Sequence, residues 1–298
     1  MKTILSSLLF LITLQFQAQN ISERLGYPSD AKLLIIHADD LGVSQSENEA
    51  SFQAMAKGFV NSASAMMPTP WILEVAEYAK ANQNHDIGLH LTLTSEWKNY
   101  RWGPVTSINE VPSLVNKYGY MHAACTSDFN PDEVEKELVS QIERAYAMGL
   151  EPTHLDSHMG CLFWSSPEVL EVYLKVAQVY NLPCLITAEI PEVLRAKYNV
   201  RVVVDQIYTI GEEQYANGTE AYYRTIFKQI KPGLNTLLIH TAYDNAEMQA
   251  MTVDHPEWGA TWRQEDFNFF MSTTCKKLIE DERIILITWR EIKEKLYD

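Results

Sequence analysis

Short apolar runs alternate with longer amphipathic runs along nearly the whole chain, and this alternation limits the possible folds more than any other feature. The apolar runs have the length and residue types of buried strands, whereas the segments between them have helical spacing. The predicted strands are Leu33–His37, Phe59–Ala65, Ile87–Leu93, Thr153–Ser157, Cys184–Thr187, Val202–Gln206, Thr236–His240 and Ile284–Thr288. The predicted helices are Glu47–Lys57, Trp71–Lys80, Asp132–Met148, Pro167–Tyr180, Glu220–Ile230 and Trp262–Ile279. Such repeated alternation predicts a largely parallel α/β fold.

Two parallel architectures fit this pattern, a (β/α) barrel and an open doubly wound sheet. The first strand runs into His37–Gly42 (HADDLG), which lacks the G-x-G-x-x-G fingerprint of nucleotide-binding sheets. We therefore favour the barrel. No Gly/Ser-rich linker, low-complexity tract or internal repeat divides the chain, so we expect a single domain.

Capping residues predict where two of the helices begin and end. Ser46 with Glu49 is typical of a capping box, and Gly58 is a suitable helix end. The pair Asn130-Pro131 opens the helix that Gly149 closes.

The N-terminus has the pattern of a secretory signal peptide. Lys2 precedes the apolar run Ile4–Leu14, and Ala18 marks the expected cleavage point. The run is too short to cross a bilayer, which needs roughly 20 apolar residues. An N-terminal core helix is the alternative. We expect a signal peptide at residues 1–18, a barrel domain at 19–298, and an exported product, periplasmic or secreted, with no membrane span.

The charge balance excludes two classes of partner. The 298 residues include 24 Lys and Arg against 39 Asp and Glu, a net charge of −15. This acidity argues against binding of nucleic acid through its phosphates and against attachment to anionic lipid.

The cysteines are widely spaced and form no C-x-x-C pair. They are Cys125, Cys161, Cys184 and Cys275. In an exported protein they allow up to two disulfides, but we favour buried free thiols.

Acidic and imidazole side chains collect where the predicted strands end. They are Asp39, Asp40, His90, His154, Asp156, His158, Asp205 and His240. In barrel enzymes the catalytic groups come from the C-terminal ends of several strands. Carboxylates and imidazoles without a thiolate motif favour a divalent ion with nitrogen and oxygen ligands. Such an ion activates water, a nearby carboxylate can accept the water's proton, and an imidazolium can protonate the leaving group.

Three segments together resemble the YdjC/ChbG-like carbohydrate deacetylases. They are His37–Gly42 (HADDLG), Ile87–Thr94 (IGLHLTLT) and Pro152–His158 (PTHLDSH), in the family's order. The resemblance implies a distorted (β/α) TIM-like barrel that removes acetyl groups from N-acetylated sugars with one divalent metal ion, Mg²⁺ or Zn²⁺. It also implies a possible homodimer.

The resemblance also implies roles for individual residues. Asp40, His90 and His158 match the metal ligands, Asp39 the general base, and His240 the acid of a late strand. We expect His154 and Asp156 either to orient these groups or simply to pack. We interpret His37 as a core residue, and His85 and His122 as surface residues. Two segments that follow these residues differ from those of many relatives. They are Met159–Trp164, after His158, and Thr241–Asp244, after His240.

Aromatic residues crowd the segments that follow the site strands. They are Trp97, Tyr100, Trp102, Trp164, Trp258 and Trp262. We expect Trp97, Trp102 and Trp164 in particular to lie at the substrate rim as sugar platforms, with loop anchoring as the alternative. The segment Tyr243–Ala260 is long enough to form a lid, and its Asp244 is a candidate to orient His240.

The sequence thus predicts an exported, metal-dependent hydrolase that deacetylates an amino sugar or oligosaccharide. Two alternatives remain open. One is a glycan-binding protein on the same scaffold, which the two altered segments favour. The other is a glycoside hydrolase, because carboxylate pairs also cleave glycosidic bonds.

Overall fold

The computed structural model describes residues 20–298, so the predicted signal peptide lies outside the described residues. The strands are β1 (Lys32–Leu41), β2 (Ser62–Ala65), β3 (Ile87–Leu91), β4 (Leu155–Ser157), β5 (Gln206–Thr209), β6 (Gly233–Ile239) and β7 (Ile284–Leu286). The helices are α1 (Ile21–Arg24), α2 (Gln45–Lys57), α3 (Ile72–Ala81), α4 (Pro131–Ala147), α5 (Cys161–Trp164), α6 (Pro167–Val179), α7 (Glu192–Lys197), α8 (Glu212–Ala216), α9 (Thr219–Gln229), α10 (Ala246–Met251), α11 (Ala260–Phe270), α12 (Thr273–Asp281) and α13 (Trp289–Leu296). Short 3₁₀ turns lie at Pro112–Leu114 and His158–Gly160.

The seven strands form one parallel sheet in the order β4-β3-β2-β1-β6-β5, and β7 also pairs with β1. Single bridges between Leu155 and Cys184, and between Thr187 and Val204, continue the path from β4 back toward β5. The sheet therefore curls on itself, and the predicted distorted TIM-like (β/α) barrel is confirmed. The predicted strand Cys184–Thr187 makes only these bridges, and β5 begins at Gln206, where the predicted strand ends.

Strand β1 is the centre of the sheet, and every residue from Leu33 to Leu41 is buried. Leu34 and Ile36 belong to the large core beneath the helices. Leu33 and Ile35 instead belong to a second cluster, which includes Val204 and Leu234. Because side chains alternate along a strand, His37 and Asp39 continue the row that Leu33 and Ile35 begin. That row is apolar at its start and polar at the C-terminal end of the strand.

Two predicted helix details are wrong. The N-cap of α2 is Ser44, whose hydroxyl accepts the backbone N–H of Glu47 at 2.9 Å; Ser46 instead donates to the carbonyl of Tyr243. The predicted helix Trp262–Ile279 is divided into α11 and α12 because Ser272 caps a new helix through the backbone N–H of Cys275.

The other capping residues lie where they were predicted. Gly58 is the C-cap of α2, and the Asn130 side chain caps α4. Gly149 follows α4 with φ at +77°, a conformation that favours glycine.

Cys125 and Cys161 form a disulfide, whereas Cys184 and Cys275 are buried free thiols. The expectation of free thiols is therefore wrong for the first pair. The loop that precedes α4 folds back onto the start of α5, a contact that sequence spacing does not reveal. Between residues 20 and 298, no helix combines the length and hydropathy needed to cross a membrane.

A methyl group at Gly88 in β3 would overlap the imidazole ring of His154. We expect Gly88→Ala to lower the free energy of unfolding by about 1–3 kcal/mol, the usual cost of overpacking a core. Urea denaturation measures it. In the His154→Ala background the same change should cost much less, and an equal loss in both backgrounds would contradict the proposed overlap.

Candidate metal centre

The backbone at Asp40 turns two neighbouring carboxylates toward one site. On a regular strand Asp39 and Asp40 would point to opposite faces. Asp40 has φ at +68°, and the pairing of β1 with β2 shifts register between Ala38 and Leu41. Aspartate tolerates this left-handed conformation better than most residues. Both carboxylates consequently reach the C-terminal end of the barrel.

Asp40, His90 and His158 converge on one point from three strand ends. The Asp40 Oδ1 atom lies 3.4 Å from His90 Nε2 and 3.3 Å from His158 Nδ1. All three side chains are buried. Among the described residues no hydrogen-bond partner reaches Asp40 Oδ1. One carboxylate oxygen and two imidazole nitrogens are thus directed at a common centre.

Each of the two histidines hydrogen-bonds a carboxylate through the ring nitrogen that faces away from Asp40. Asp156 Oδ1 lies 2.7 Å from His90 Nδ1, and Glu96 Oε2 lies 3.1 Å from His158 Nε2. A neutral imidazole that donates one N–H to a carboxylate offers its other nitrogen as a ligand. The free nitrogens are then the two that face Asp40. This donor set fits a divalent ion that accepts nitrogen and oxygen ligands.

The carboxylates make the electrostatic potential at the cluster negative. Burial lowers the pKa of His158, but Glu96 and Asp40 outweigh it and raise that pKa to about 10. Burial also opposes protonation of His90, whose pKa is nevertheless raised by Asp156 and Asp39. Both shifts indicate a site that favours added positive charge, which a bound cation would supply.

Arg263 of α11 holds the other oxygen of Asp40. Its guanidinium donates to Asp40 Oδ2 at 2.7 Å and to Glu47 Oε2 at 2.8 Å, and all three side chains are buried. Burial would raise the pKa of Asp40, but Arg263 and the neighbouring histidines hold it well below its usual range. Burial raises the pKa of Glu47 to about 8 despite the arginine. Asp40 is therefore ionised and offers one oxygen to the centre.

Asp39 and His240 lie beside the cluster. Asp39 Oδ2 is 3.8 Å from His240 Nε2, which is also 3.9 Å from Asp40 Oδ2. Burial lowers the pKa of His240 to about 4, although the two carboxylates oppose the shift. His240 is consequently neutral at neutral pH and can accept a proton at Nε2.

Asp244 does not orient His240 as expected. It is exposed and accepts hydrogen bonds from Gln249 and Thr261. The carboxylate that positions this segment is Asp266, which accepts the backbone N–H of His240 at 3.1 Å.

His154 lies beneath the site and contacts none of the three converging residues by hydrogen bond. Its ring stacks on Trp289 at a centroid distance of 5.1 Å and meets the edge of His37 at 4.9 Å. His37 is buried, as expected of a core residue, but it also hydrogen-bonds Asp156 at 2.8 Å. Asp205, another strand-end carboxylate, accepts the backbone N–H of Leu234 at the edge of the cleft.

Two of the three predicted sugar platforms are buried. Trp102 donates its indole N–H to the carbonyl of Thr94, and Trp97 lies under the guanidinium of Arg263 at 5.6 Å. Neither offers an open face to a ligand. Trp164 is 74% exposed and lines the cleft. The ring centroids of Trp258 and His240 are 6.4 Å apart.

The segment predicted as a lid is docked onto the barrel. It contains α10, and Glu247 accepts the backbone N–H of Ser46 at 2.9 Å. Met248 and Met251 are buried against the same side of the molecule as Trp97.

A cleft of about 740 Å³ reaches the centre at His90. Its lining includes Asp39, His90 and Asp156 of the polar cluster, together with Trp164 and Glu189. A ligand in the cleft would therefore contact both the polar cluster and an exposed indole.

Sequence reasoning missed Glu96, Glu47, Arg263 and Asp266. Each lies on a loop or helix rather than at a strand end, so the pattern that located the other residues gives no signal for them. Glu96 stands next to Trp97 in an aromatic loop, and only its contact with His158 distinguishes it.

Residues 33–281 match the family model described as YdjC-like protein. A carbohydrate deacetylase of Thermus thermophilus is 29% identical over 93% of this chain and its own full length. A chitooligosaccharide deacetylase of Yersinia enterocolitica is 34% identical over 43% of this chain and 49% of its own. A crystal structure from Enterococcus faecalis superimposes with a TM-score of 0.76 at 25% identity, covering 88% of this chain and 99% of that one.

Replacing Arg263 with Met would leave two buried carboxylates without their shared partner. We expect Arg263→Met to lower the free energy of unfolding of the metal-free protein by about 3–5 kcal/mol. Urea denaturation measures it. Lys276→Met, which breaks only an exposed pair with Glu280, is the control and should change stability little. Equal effects of the two variants would show that the Arg263 contacts do not stabilise the fold.

Proposed function

We propose that this chain, which belongs to the YdjC-like protein family, is an exported metal-dependent hydrolase that removes the acetyl group from an N-acetylated sugar. The observation that carries the proposal is the convergence of Asp40, His90 and His158 on one centre, with Asp39 and His240 beside it and Asp39 and His90 facing the cleft. The carbohydrate deacetylases among its relatives support the substrate class.

Asp40, His90 and His158 would hold the ion. When bound, a divalent ion polarises the acetyl carbonyl and lowers the pKa of a water beside it. Asp156 and Glu96 keep the two imidazoles in the orientation that ligation needs, and Arg263 keeps Asp40 ionised. Three protein ligands would leave such an ion able to bind water and substrate as well.

Asp39 and His240 would carry the proton. Asp39 accepts a proton from the water whose oxygen attacks the acetyl carbon. The carbon–nitrogen bond then breaks, and the departing amine needs a proton. His240 Nε2, 3.8 Å from Asp39 Oδ2, is placed to receive that proton and deliver it to the amine. The products are acetate and the free amino sugar.

The cleft suits a sugar. Its volume of about 740 Å³ lies within the usual range for small-ligand sites. Trp164 offers the flat apolar face that packs against pyranose rings, and Glu189 and Gln206 offer hydrogen-bonding groups.

Two features support export. Residues 1–18 have the pattern of a signal peptide. The disulfide between Cys125 and Cys161 is of a kind that persists in oxidising compartments and is rare in the cytosol.

Two variants separate the base from the metal ligands. Asp39→Asn should abolish acetate release while bound metal stays at the wild-type level, because Asn cannot accept the water's proton. His90→Ala should lower the metal stoichiometry as well as the activity. Acetate is measured enzymatically on chitobiose-like and murein-like sugars, and metal by elemental analysis. Retained turnover in Asp39→Asn would refute the base, and unchanged metal content in His90→Ala would refute that ligand.

The same sugars, with and without a chelator, test the alternatives. A deacetylase releases acetate and loses activity with the chelator. A glycan-binding protein would bind the sugar without acetate release under any metal. A glycoside hydrolase would shorten the sugar and leave its acetyl groups intact. Either of these last two results would overturn the proposed function.

Export has its own test. After secretion from a bacterial host the chain should begin close to residue 19. When denatured, it should expose two alkylatable thiols before reduction and four after it, because Cys125 and Cys161 are joined. Intact-mass measurement with and without a reductant reports both. An uncleaved N-terminus, or four reactive thiols without reduction, would contradict the prediction.

A further inference from the structure

His37 lies between two carboxylates of the site. Its side chain is buried in β1, two residues before Asp39 and on the same face of the strand. The Nε2 atom is 2.8 Å from Asp156 Oδ2 and 3.3 Å from Asp39 Oδ1. A histidine that only filled the core would have no reason to stand between two carboxylates.

Two serines of β2 fix the plane of this imidazole. Ser62 Oγ lies 2.8 Å from Nδ1, and Ser64 Oγ lies 3.0 Å from Nε2. Carboxylates accept but do not donate, so the Nε2 atom of His37 must carry the proton in its contact with Asp156. The ring therefore has one orientation and one donor directed at the site.

Asp156 links His37 to the candidate metal centre. Asp156 receives His37 on Oδ2 and His90 on Oδ1, at 2.8 Å and 2.7 Å. The position of the Asp156 carboxylate sets the orientation of the His90 ring, and hence the direction of its free nitrogen. His37 is thus linked to a predicted metal ligand through one carboxylate and lies against the predicted base.

We propose that His37 is a positioning residue: its Nε2–H holds Asp156 against His90, and its ring, 3.3 Å from Asp39 Oδ1, limits where the Asp39 side chain can lie beside the attacking water. This inference rests on the proposed function for the role of Asp39, but the link to His90 concerns metal binding alone. His37 itself touches neither ion nor substrate.

The charges around His37 agree with this role. Burial lowers its pKa, but the hydrogen bond with Asp156 and the nearby negative charge of Asp39 outweigh burial and raise the pKa to about 10. A positive His37 offsets part of the negative charge of two buried carboxylates. An apolar residue at this position would leave Asp156 without its donor and Asp39 without the positive charge beside it.

Three variants test the proposal. His37→Met keeps the bulk and removes both ring nitrogens. His37→Gln restores an N–H donor within reach of Asp156. Ile36→Val, at the neighbouring buried position facing the helices, is a matched control that perturbs the same strand without touching the carboxylates.

Metal binding is measured first, with Co²⁺ as the probe, by titration of the metal-free protein and by its visible absorption. His37→Met should weaken Co²⁺ binding about 10–100-fold and alter the spectrum, the range expected for loss of a group that orients a ligand. His37→Gln should recover most of the affinity, and Ile36→Val should match wild type. Wild-type affinity and an unchanged spectrum in His37→Met would overturn the link to His90.

Kinetics on an N-acetylated sugar test the second contact. His37→Met should lower kcat with little change in KM, and His37→Gln should restore part of kcat. A kcat for His37→Met equal to that of Ile36→Val would overturn the positioning of Asp39. If the wild type releases no acetate, the proposed function fails, and the Co²⁺ titration still decides the part of the inference that concerns His90.

Discussion

The two oxygens of the Asp40 carboxylate face different groups, and the rest of the site is arranged around these two sets of contacts. One oxygen is bound by Arg263, which also binds Glu47, and the other faces the two imidazoles. This is possible only because the backbone at Asp40 leaves the strand conformation and turns the side chain toward its neighbour Asp39. A regular strand would have placed one carboxylate in the site and the other beneath the helices.

The side chains around Asp40 form a row in which acidic and imidazole groups alternate. Carboxylates alternate with imidazoles from Glu96 through His158, Asp40 and His90 to Asp156, and His37 ends the series. Hydrogen bonds join Glu96 to His158, and Asp156 to both His90 and His37, so each of these groups limits the orientation of its partner. Arg263 is the only permanently charged cation that contacts this series among the described residues, which is why the field remains negative.

The sequence predicted the parts of this site that depend on strand ends. Parallel strands bring their C-terminal ends together, so Asp39, His90, His158 and His240 could be grouped from apolar runs and short motifs alone. It did not predict Glu96, Arg263 or Asp266, because loops and helices approach the barrel by tertiary packing. The same limit explains the misplaced cap at Ser46, the burial of Trp97, and the pairing of Cys125 with Cys161. His37 was assigned to the core correctly, but its polar contacts depend on residues 25 and 119 positions away.

The disulfide has a consequence for local opening of the molecule. Cys161 lies three residues after His158, and Cys125 belongs to the loop whose His122 carbonyl accepts the backbone N–H of Ser95, next to Glu96. The disulfide therefore joins the segment of His158 to a loop that hydrogen-bonds the residue next to Glu96. The loop that the disulfide closes contains both α4 and β4. Because the cross-link limits how far this loop can separate from the strand end, we expect its amide hydrogens to exchange more slowly than those of an untied loop.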